Sequence, residues 1–281
     1  MNTRTTVVAV LLLLTATGTS SVFAESEMIA VGEDKFIIAV GSFLPAFNTK
    51  VRVEGDNVGP GDDVDLENDL GIDRNDTSVY VGASWRFKPK HRILANFFQS
   101  SRESQVVANK DIQIGDEIYP AGATLKSKLS FNVVPVTYAY SLIQSERSEF
   151  AVTGGLHWNS IKLKVEGSAS AGNQDLDAEI EAKVDAPMPL VGLDYTYAFT
   201  SRWRGGARGE VFWFDFTGSP IEVGGTIVNL RLSTDYWITR NFGLGAAVNY
   251  FQFDVDVDSD NWKGALNYGY IGPQIYVEAR F

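Results

Sequence analysis

Along most of the chain, apolar and polar side chains alternate with a period of two. In residues 190–200, Val191, Leu193 and Tyr195 point one way, whereas Gly192 and Asp194 point the other. The stretches 227–237 and 271–281 repeat the pattern, and helical spacing is nearly absent. Strict alternation over this length is typical of a β-strand with one apolar face. The pattern therefore predicts an all-β protein.

The predicted strands are joined by two kinds of connection. Short turns lie at 88–90, 144–147, 201–202 and 240–241, and long acidic loops are expected at 54–76, 103–123, 167–185 and 254–263, with a shorter one near 218–225. Short turns on one rim and long loops on the other are typical of an outer-membrane barrel. About ten strands are predicted, at 35–53, 77–87, 91–103, 124–142, 149–166, 186–199, 203–217, 224–238, 242–255 and 264–281. Eight or twelve strands remain alternatives.

A soluble, secreted β-sandwich would also alternate, but the composition of the two faces favours a membrane barrel. Near the short turns the apolar face is rich in aromatic residues, as in the girdles of membrane barrels. These are Trp85, Phe87, Tyr138, Tyr140, Tyr195, Tyr197, Phe199, Trp203, Tyr236 and Phe242. The opposite face carries charges of both signs, which a dry sandwich core does not hold unpaired. We therefore predict an up-and-down antiparallel transmembrane β-barrel, with its first and last strands paired so that no edge faces lipid.

The first 24 residues are predicted to be a secretory signal peptide. Arg4 precedes the apolar run 7–14, and small side chains surround the expected cleavage site after Ala24. The apolar run is shorter than the roughly 20 residues of a spanning helix. We therefore expect an exported chain in which residues 25–281 form one barrel domain.

The carboxyl terminus supports this interpretation. The chain ends on Phe281, and Ile275, Val277 and Ala279 alternate with polar residues before it. In this pattern the sequence resembles the Gram-negative outer-membrane β-barrel proteins as a class. The resemblance implies location in the outer membrane and contact with its lipids and lipopolysaccharide. It also implies that the last strand is an assembly signal, read by the barrel-assembly machinery. We expect a monomer.

Composition narrows the possible functions. The chain has 24 Lys and Arg against 35 Asp and Glu, a net charge of −11, which argues against nucleic-acid binding. It contains no cysteine, so disulfides, thiolate metal sites and cysteine nucleophiles are excluded. We expect no cofactor.

Charged side chains on the inner face are the main candidate functional group. Four acids and four arginines share this face: Arg86, Asp194, Arg208, Glu210, Arg231, Asp235, Glu278 and Arg280. Tyr80, Ser84, His157, Asn159, Asn229 and Gln274 are expected beside them. Because a ten-stranded barrel is narrow, we expect the charges to pair across the lumen. The resulting network is either structural or the lining of a narrow pore for small solutes.

Catalytic candidates are few. His91 follows a turn and is expected at the solvated rim, whereas His157 is expected to face inward. Lipid-modifying outer-membrane hydrolases use a serine–histidine pair, and similarity to them would make His157 catalytic. However, Ser160 lies three residues away and so points to the opposite face of a strand. The favoured prediction is a non-enzymatic protein, with the hydrolase as an alternative.

The acidic loops are the last candidate. Loop 54–76 holds nine acids against the single base Arg74, and Asp254, Asp256, Asp258 and Asp260 alternate further on. Converging carboxylates can bind Ca²⁺, but no EF-hand spacing is present, so we expect a solvated acidic surface. A small hairpin is predicted at 111–122, with Gly115 and Asp116 at its turn. Taken together, the sequence predicts a surface or structural protein, or a narrow pore, with acidic extracellular loops.

Overall fold

The computed structural model describes residues 30–53, 63–114, 117–171, 174–218, 221–259 and 262–281. The predicted signal peptide, 1–24, lies outside the described residues. The described strands are β1 (Phe36–Phe43), β2 (Ala46–Val53), β3 (Val64–Asp65), β4 (Ser78–Lys88), β5 (His91–Val107), β6 (Ile112–Ile114), β7 (Glu117–Tyr119), β8 (Thr124–Gln144), β9 (Ser148–Ala171), β10 (Gln174–Ala198), β11 (Trp203–Gly218), β12 (Ile221–Trp237), β13 (Phe242–Ser259) and β14 (Trp262–Arg280). Within this part of the chain, no helix has the length and apolarity needed to cross a membrane.

The strands form one closed antiparallel ring. Each long strand pairs with the next along the chain, and β1 pairs with both β4 and β14. β1 and β2 are one strand interrupted at Leu44 and Pro45, because both lie on β14 and Leu44 N–H still donates to the carbonyl of Pro273 (3.0 Å). Counting them as one gives ten ring strands. The prediction of a ten-stranded barrel is confirmed, and the alternative of a two-sheet sandwich is wrong because the ring closes.

An apolar band surrounds the barrel. Ile271, Ile275 and Val277 of β14 and the following residue, Phe281, all face outward and are more than half exposed. From Ile271 to Phe281 the strand advances ten residues, which at about 3.3 Å per residue and a tilt of about 40° gives a height of about 25 Å. Other strands contribute similar residues: Ile38, Val40, Val81, Trp85, Phe97, Val136, Tyr138, Val152, Leu156, Trp158, Val191, Leu193, Tyr195, Val211, Leu230, Leu232, Tyr236, Leu244 and Val248. The band has the height of a membrane hydrocarbon core.

The strands continue well above this band, so several predicted loops are wrong. Segment 167–185 was expected as a loop, but β9 runs to Ala171 and β10 starts at Gln174. Segments 218–225 and 254–263 are likewise mostly strand. Segment 103–123 is partly strand, and the hairpin expected at 111–122 is present as β6 and β7, with its turn outside the described residues. The acids were taken for loop residues because they alternate on the outer face of strands that project into water.

The two faces of the wall exchange polarity at the upper edge of the band. On β9, Leu156 and Trp158 face outward and His157 faces inward, but higher up Lys162 faces outward and Leu163 inward. On β13, Asp254, Asp256 and Asp258 likewise alternate with the inward residues Phe251, Phe253 and Val255. The outward residues change from apolar to charged because lipid surrounds the lower wall and water surrounds the upper wall. The interior is therefore polar below and apolar above.

Above the band the ring separates into two arms. β10 pairs with β11 only from Val191–Val211 down to Ala198–Arg204, although both strands continue upward. β4 begins only at Ser78, so it does not connect β2 to the upper part of β5. One arm contains β5, β8, β9 and β10, and the other contains β11, β12, β13, β14 and β2. Residues 64–72 lie between the arms on the β2–β5 side.

Candidate functional site

Five charged side chains join into a continuous series across the lower bore. Arg86 Nη2 donates to Glu149 (2.7 Å), whose carboxylate also lies 3.6 Å from Arg92. Arg92 Nη2 then donates to Asp194 (2.7 Å), which accepts a further bond from Arg208 Nε (2.7 Å). We call Arg86, Glu149, Arg92, Asp194 and Arg208 the charge ladder. Because it links β4 to β9 and β5 to β10, each three strands apart in the ring, it spans the lumen.

Each carboxylate of the charge ladder lies between two arginines. The side chain of Glu149 is 1% exposed and that of Asp194 is 9% exposed. A buried carboxylate is stable only when paired, and removing its partner costs about 3–5 kcal/mol. A cavity of about 180 Å³ lies beside the ladder and is lined by further charged groups, among them Asp34, Asp235 and Glu278. The lower bore is thus polar, crowded and internally neutralised.

A short segment before β1 crosses the mouth of the bore on the short-turn side. Val31 N–H donates to the carbonyl of Glu146, in the turn between β8 and β9 (3.0 Å). On the other side of the mouth, Asp34 pairs with Arg204 of β11 and with Arg280 of β14 (3.1 Å). The Arg280 guanidinium also lies 3.8 Å from the ring centroid of Trp237. In outer-membrane barrels the short turns face the periplasm. We therefore call Asp34, Arg204 and Arg280 the periplasmic latch, since their contacts hold residues 30–35 across that opening.

The eight predicted lumen residues all lie on the inner face, but most have other partners than expected. Only Asp194 and Arg208 pair with each other. The remaining contacts are Arg86 to Glu149, Asn229 to Glu210 (2.7 Å), Arg231 to Asn249 (2.9 Å) and Gln274, Tyr276 to Asp235 (2.6 Å), and Arg280 to Asp34. One carboxylate oxygen of Glu278 has no hydrogen-bond partner among the described residues.

Sequence reasoning missed four members of these networks. Arg92 and Arg204 lie on predicted strands at inward positions of the alternation, so the signal was present. Glu149 was overlooked because it follows a turn directly, where charges are usually solvated. Asp34 precedes the first strand, and only the folded structure shows that it reaches Arg204 and Arg280.

In the part of the chain that the structure describes, neither histidine forms a hydrogen bond with a serine hydroxyl. His157 is 2% exposed and stacks on Phe251 at 4.6 Å, with the Asn159 amide nitrogen 2.9 Å from its Nδ1. Ser160 lies on the outer face, as the strand geometry predicts. His91 lies at the lower rim, where its Nδ1 is 2.6 Å from the Tyr138 hydroxyl. His157 therefore contributes a stacking contact between β9 and β13.

Aromatic side chains fill the upper bore. Phe131 of β8 lies 4.5 Å from Tyr268 of β14 and 5.5 Å from Phe47 of β2, measured between ring centroids. Phe43, Phe98, Phe251 and Tyr270 extend this layer at separations of 5.0–5.9 Å. The rings come from strands on opposite sides of the barrel and meet at its axis.

Residues 64–72, which we call the upper plug, cover this aromatic layer. Its apolar side chains Leu66, Leu70 and Ile72 are at most 1% exposed. The segment is a compact turn, in which Asp65 accepts from the Asn68 backbone (2.9 Å). It is attached to β2 by a two-residue ladder, and Ser104 Oγ donates to the carbonyl of Leu70 (2.5 Å).

A buried ion pair fixes the upper plug to the wall. Glu67 accepts from the backbone N–H of Thr49 (2.8 Å) and from Arg102 Nη1 (3.1 Å), and both side chains are 2% exposed. Arg102 also donates to the carbonyl of Asp73 (2.7 Å) and lies 4.0 Å from the ring centroid of Phe47. Burial lowers the pKa of the Arg102 guanidinium, and the hydrogen bond and charge of Glu67 oppose that shift.

The described part of the acidic outer surface carries ion pairs rather than a cluster of metal ligands. In the described part of the chain, no three His, Asp or Glu side chains converge on a common point. Asp256 lies near Arg52 (3.8 Å), and Asp258 pairs with Lys263 (2.9 Å). Glu54, Asp56, Asp62 and Asp260 lie outside the described residues.

Comparison with known proteins gives a fold but no family. No family model and no curated protein matches the sequence. The outer membrane protease OmpT of Escherichia coli is structurally similar, with a TM-score of 0.60 at 12% identity over 90% of this chain and 98% of that chain. Two weaker similarities are the Pseudomonas putida toluene transporter TodX (TM-score 0.38, 10% identity, 88% and 90% covered) and OprG of Pseudomonas aeruginosa (0.35, 13%, 88% and 96%). The similarity to OmpT shows the fold, a closed antiparallel β-barrel, and the apolar band is the outer surface that an outer-membrane β-barrel requires.

Proposed function

We propose that this protein is a non-enzymatic surface protein of the outer membrane whose bore is closed. The observation that carries the proposal is that side chains from opposite walls meet at three heights. The periplasmic latch closes the lower mouth, the charge ladder crosses the middle, and the aromatic layer under the upper plug fills the top. A closed barrel of this kind serves to hold in place the strands that project above the apolar band.

The charge ladder argues against resting conduction. Widening the lower bore beyond the cavity beside the ladder requires separating Arg92 from Asp194 or Arg86 from Glu149. Opening one such buried pair costs about 3–5 kcal/mol. Small polar barrels can conduct only when a continuous path of favourable contacts exists. The narrow-pore alternative therefore needs a large rearrangement.

The surroundings of the two histidines support a role without catalysis. A general base must reach the proton that it removes, directly or through one water. His157 is 2% exposed and lies against Phe251 and Asn159, and the nearest serine in sequence points to lipid or water outside the wall. Among the described residues, no serine hydroxyl forms a hydrogen bond with His157, so the serine–histidine pair of the hydrolase alternative has no observation to support it.

The outer wall just above the band supports contact with the membrane surface. Lys162 lies four residues above the exposed Trp158 on β9 and pairs with Glu181 of β10 (2.7 Å). Lys128 similarly pairs with Glu103 (2.6 Å). These alternating charges lie at the height of lipid headgroups, where lipopolysaccharide phosphates and their counterions would meet them. Lipopolysaccharide and the surrounding lipids are thus the proposed partners, with the barrel-assembly machinery acting before insertion.

Planar-bilayer recording tests the proposal. The folded full-length barrel is expected to give no steady single-channel current in either polarity, whereas a porin inserted under the same conditions gives clear openings. As a matched variant, the Arg92→Ala, Asp194→Ala double substitution empties the middle of the ladder and is expected to give brief openings. A steady, ion-selective current from the unaltered protein would contradict a closed bore and favour the narrow pore.

A further inference from the structure

The Arg102 guanidinium in the upper bore uses only part of its hydrogen-bonding capacity. An arginine side chain carries five N–H donors. Arg102 is 4% exposed, and its Nη1 donates to Glu67 and to the carbonyl of Asp73. Its Nε and Nη2 are buried and have no hydrogen-bond partner among the described residues. A buried donor without a partner costs free energy, so this cation is incompletely satisfied by the upper plug.

The surface around Arg102 is aromatic and holds a second unsatisfied donor. The guanidinium lies 4.0 Å from the centroid of Phe47 and 5.6 Å from that of Phe131. Tyr268 stacks on Phe131, and its buried hydroxyl has no hydrogen-bond partner in the described part of the chain. Burial raises the pKa of Tyr268, so the hydroxyl keeps its proton. We call Phe47, Arg102, Phe131 and Tyr268 the aromatic basin.

The upper plug fills the aromatic basin as a ligand would. It presents one carboxylate, Glu67, surrounded by the aliphatic side chains of Leu66, Leu70 and Ile72. Glu67 reaches Arg102 through Nη1 alone, because its other oxygen accepts from the Thr49 backbone (2.8 Å). The turn holds its own shape through internal hydrogen bonds, and its strand contact with β2 is only two residues long. The plug is therefore a compact unit, held in the basin by its buried apolar side chains, by Glu67 on Thr49 and Arg102, and by side-chain contacts such as Lys110 to Asp69 (3.2 Å).

We propose that the aromatic basin is a binding site for an amphipathic carboxylate, a molecule with one carboxylate on an apolar body, and that the upper plug occupies it as an intramolecular substitute. A free carboxylate can turn to form two parallel bonds with the guanidinium, a stronger arrangement than the single contact of Glu67. Its apolar body replaces the three aliphatic side chains on the aromatic surface. A single arginine in an apolar setting suits one negative charge better than a phosphate with two.

A purely structural plug does not need this ion pair. Replacing a buried ion pair by apolar side chains of similar volume is often neutral or stabilising. Glu67 and Arg102 thus add specificity for a charged group at a position where leucine and phenylalanine would close the bore equally well. A binding site in the basin is independent of the proposed closed bore, because the charge ladder crosses the lower bore whether or not the plug occupies the basin.

Thiol labelling reports whether the plug leaves the basin. The chain has no cysteine, so Leu70→Cys creates a single thiol at a position with no exposure. The full-length variant in lipid nanodiscs is expected to react slowly with a water-soluble maleimide. Dodecanoate is expected to raise the labelling rate about fivefold, whereas the uncharged dodecan-1-ol leaves it unchanged, because only the acid engages Arg102. Ala151→Cys, on β9 beside Asp194 in the lower bore and also fully buried, is the control and stays slow in both.

Two further variants separate ligand binding from damage to the fold. Glu67→Gln weakens the substitute ligand without changing its size, and dodecanoate is expected to bind about tenfold more tightly, since charge-assisted bonds are about twice as strong as neutral ones. Leu70→Cys combined with both Glu67→Gln and Arg102→Gln keeps a neutral pair at this position, and dodecanoate is expected to leave its labelling rate unchanged. Equal effects of acid and alcohol, or no effect of dodecanoate on either Leu70→Cys or Glu67→Gln, Leu70→Cys, would overturn the proposal. Neither result alters the conductance prediction, because the charge ladder is intact in all of these variants.

Discussion

Removing the charge of Asp194 tests the charge ladder most sharply. Asp194 accepts bonds of 2.7 Å from both Arg92 and Arg208, and its side chain is 9% exposed. Asp194→Asn keeps the shape but leaves Arg208 without a carboxylate partner and Arg92 with only the longer contact to Glu149. Hydrogen bonds to charged groups contribute about 1.5–3 kcal/mol each, and breaking a buried pair costs about 3–5 kcal/mol. Because asparagine still accepts one bond, we expect a loss of about 3 kcal/mol in the free energy of unfolding.

Reversible urea unfolding in lipid vesicles measures this loss, with tryptophan fluorescence and heat-modifiable gel migration as readouts. Asp215→Asn is the matched control, since Asp215 is exposed on the outer face of β11 above the band. Its cost is expected to stay within about 0.5 kcal/mol, as for most surface substitutions. A second variant, Asp194→Asn with Arg208→Met, is expected to recover about half of the loss, because the orphaned cation is gone.

Equal costs for Asp194→Asn and Asp215→Asn would show that the two arginines do not stabilise the fold through Asp194. A larger loss on adding Arg208→Met would show that Arg208 is stabilising for a reason other than its pairing with Asp194.

Three further outcomes follow from the same structure. Leu70→Ala, which empties a fully buried position in the upper plug, should lower the free energy of unfolding in urea by about 2–4 kcal/mol. A loss below about 1 kcal/mol, the contribution of roughly one buried CH₂ group, would show that the plug is loosely packed. Val31 is 3% exposed, so a Val31→Cys thiol should react slowly with maleimide. Adding Asp34→Asn releases both arginines of the periplasmic latch and should raise the labelling rate about tenfold; an unchanged rate would mean that other contacts hold the segment. Phe281→Ala should lower the amount of folded barrel recovered from outer membranes but leave refolding in detergent unchanged, and Phe216→Ala, exposed above the band, should lower neither.

The sequence was sufficient for the barrel because every strand within the membrane has a lipid-facing side. Alternation such as that of Val191, Leu193 and Tyr195, together with a charged opposite face, indicates a strand with one side toward lipid and the other toward a polar bore. The upper strands were read as loops because water, not lipid, surrounds them there, and residues such as Asp254 and Asp256 then alternate with an apolar interior. Period-two alternation was still present, with its polarity reversed.

The site was predicted in part. Inward positions follow from strand parity, which placed Asp194 and Arg208 on one face. Pairing partners depend on which strands face each other across the ring, and that requires register and shear, which the local sequence does not encode. Glu67 and Arg102 lie 35 residues apart and meet only because residues 64–72 fold back between the arms. No local pattern marks such a contact.

A nitroxide scan along β9 tests the whole account most directly. Spin labels placed singly from Gly154 to Glu166 report collisions with oxygen, which concentrates in lipid, and with a water-soluble nickel complex. We predict oxygen contact at Leu156 and Trp158, nickel contact at Lys162 and Lys164, and contact with neither at His157, Ile161 and Leu163. Strong nickel contact at His157 would reveal a water-filled bore and contradict the closed barrel.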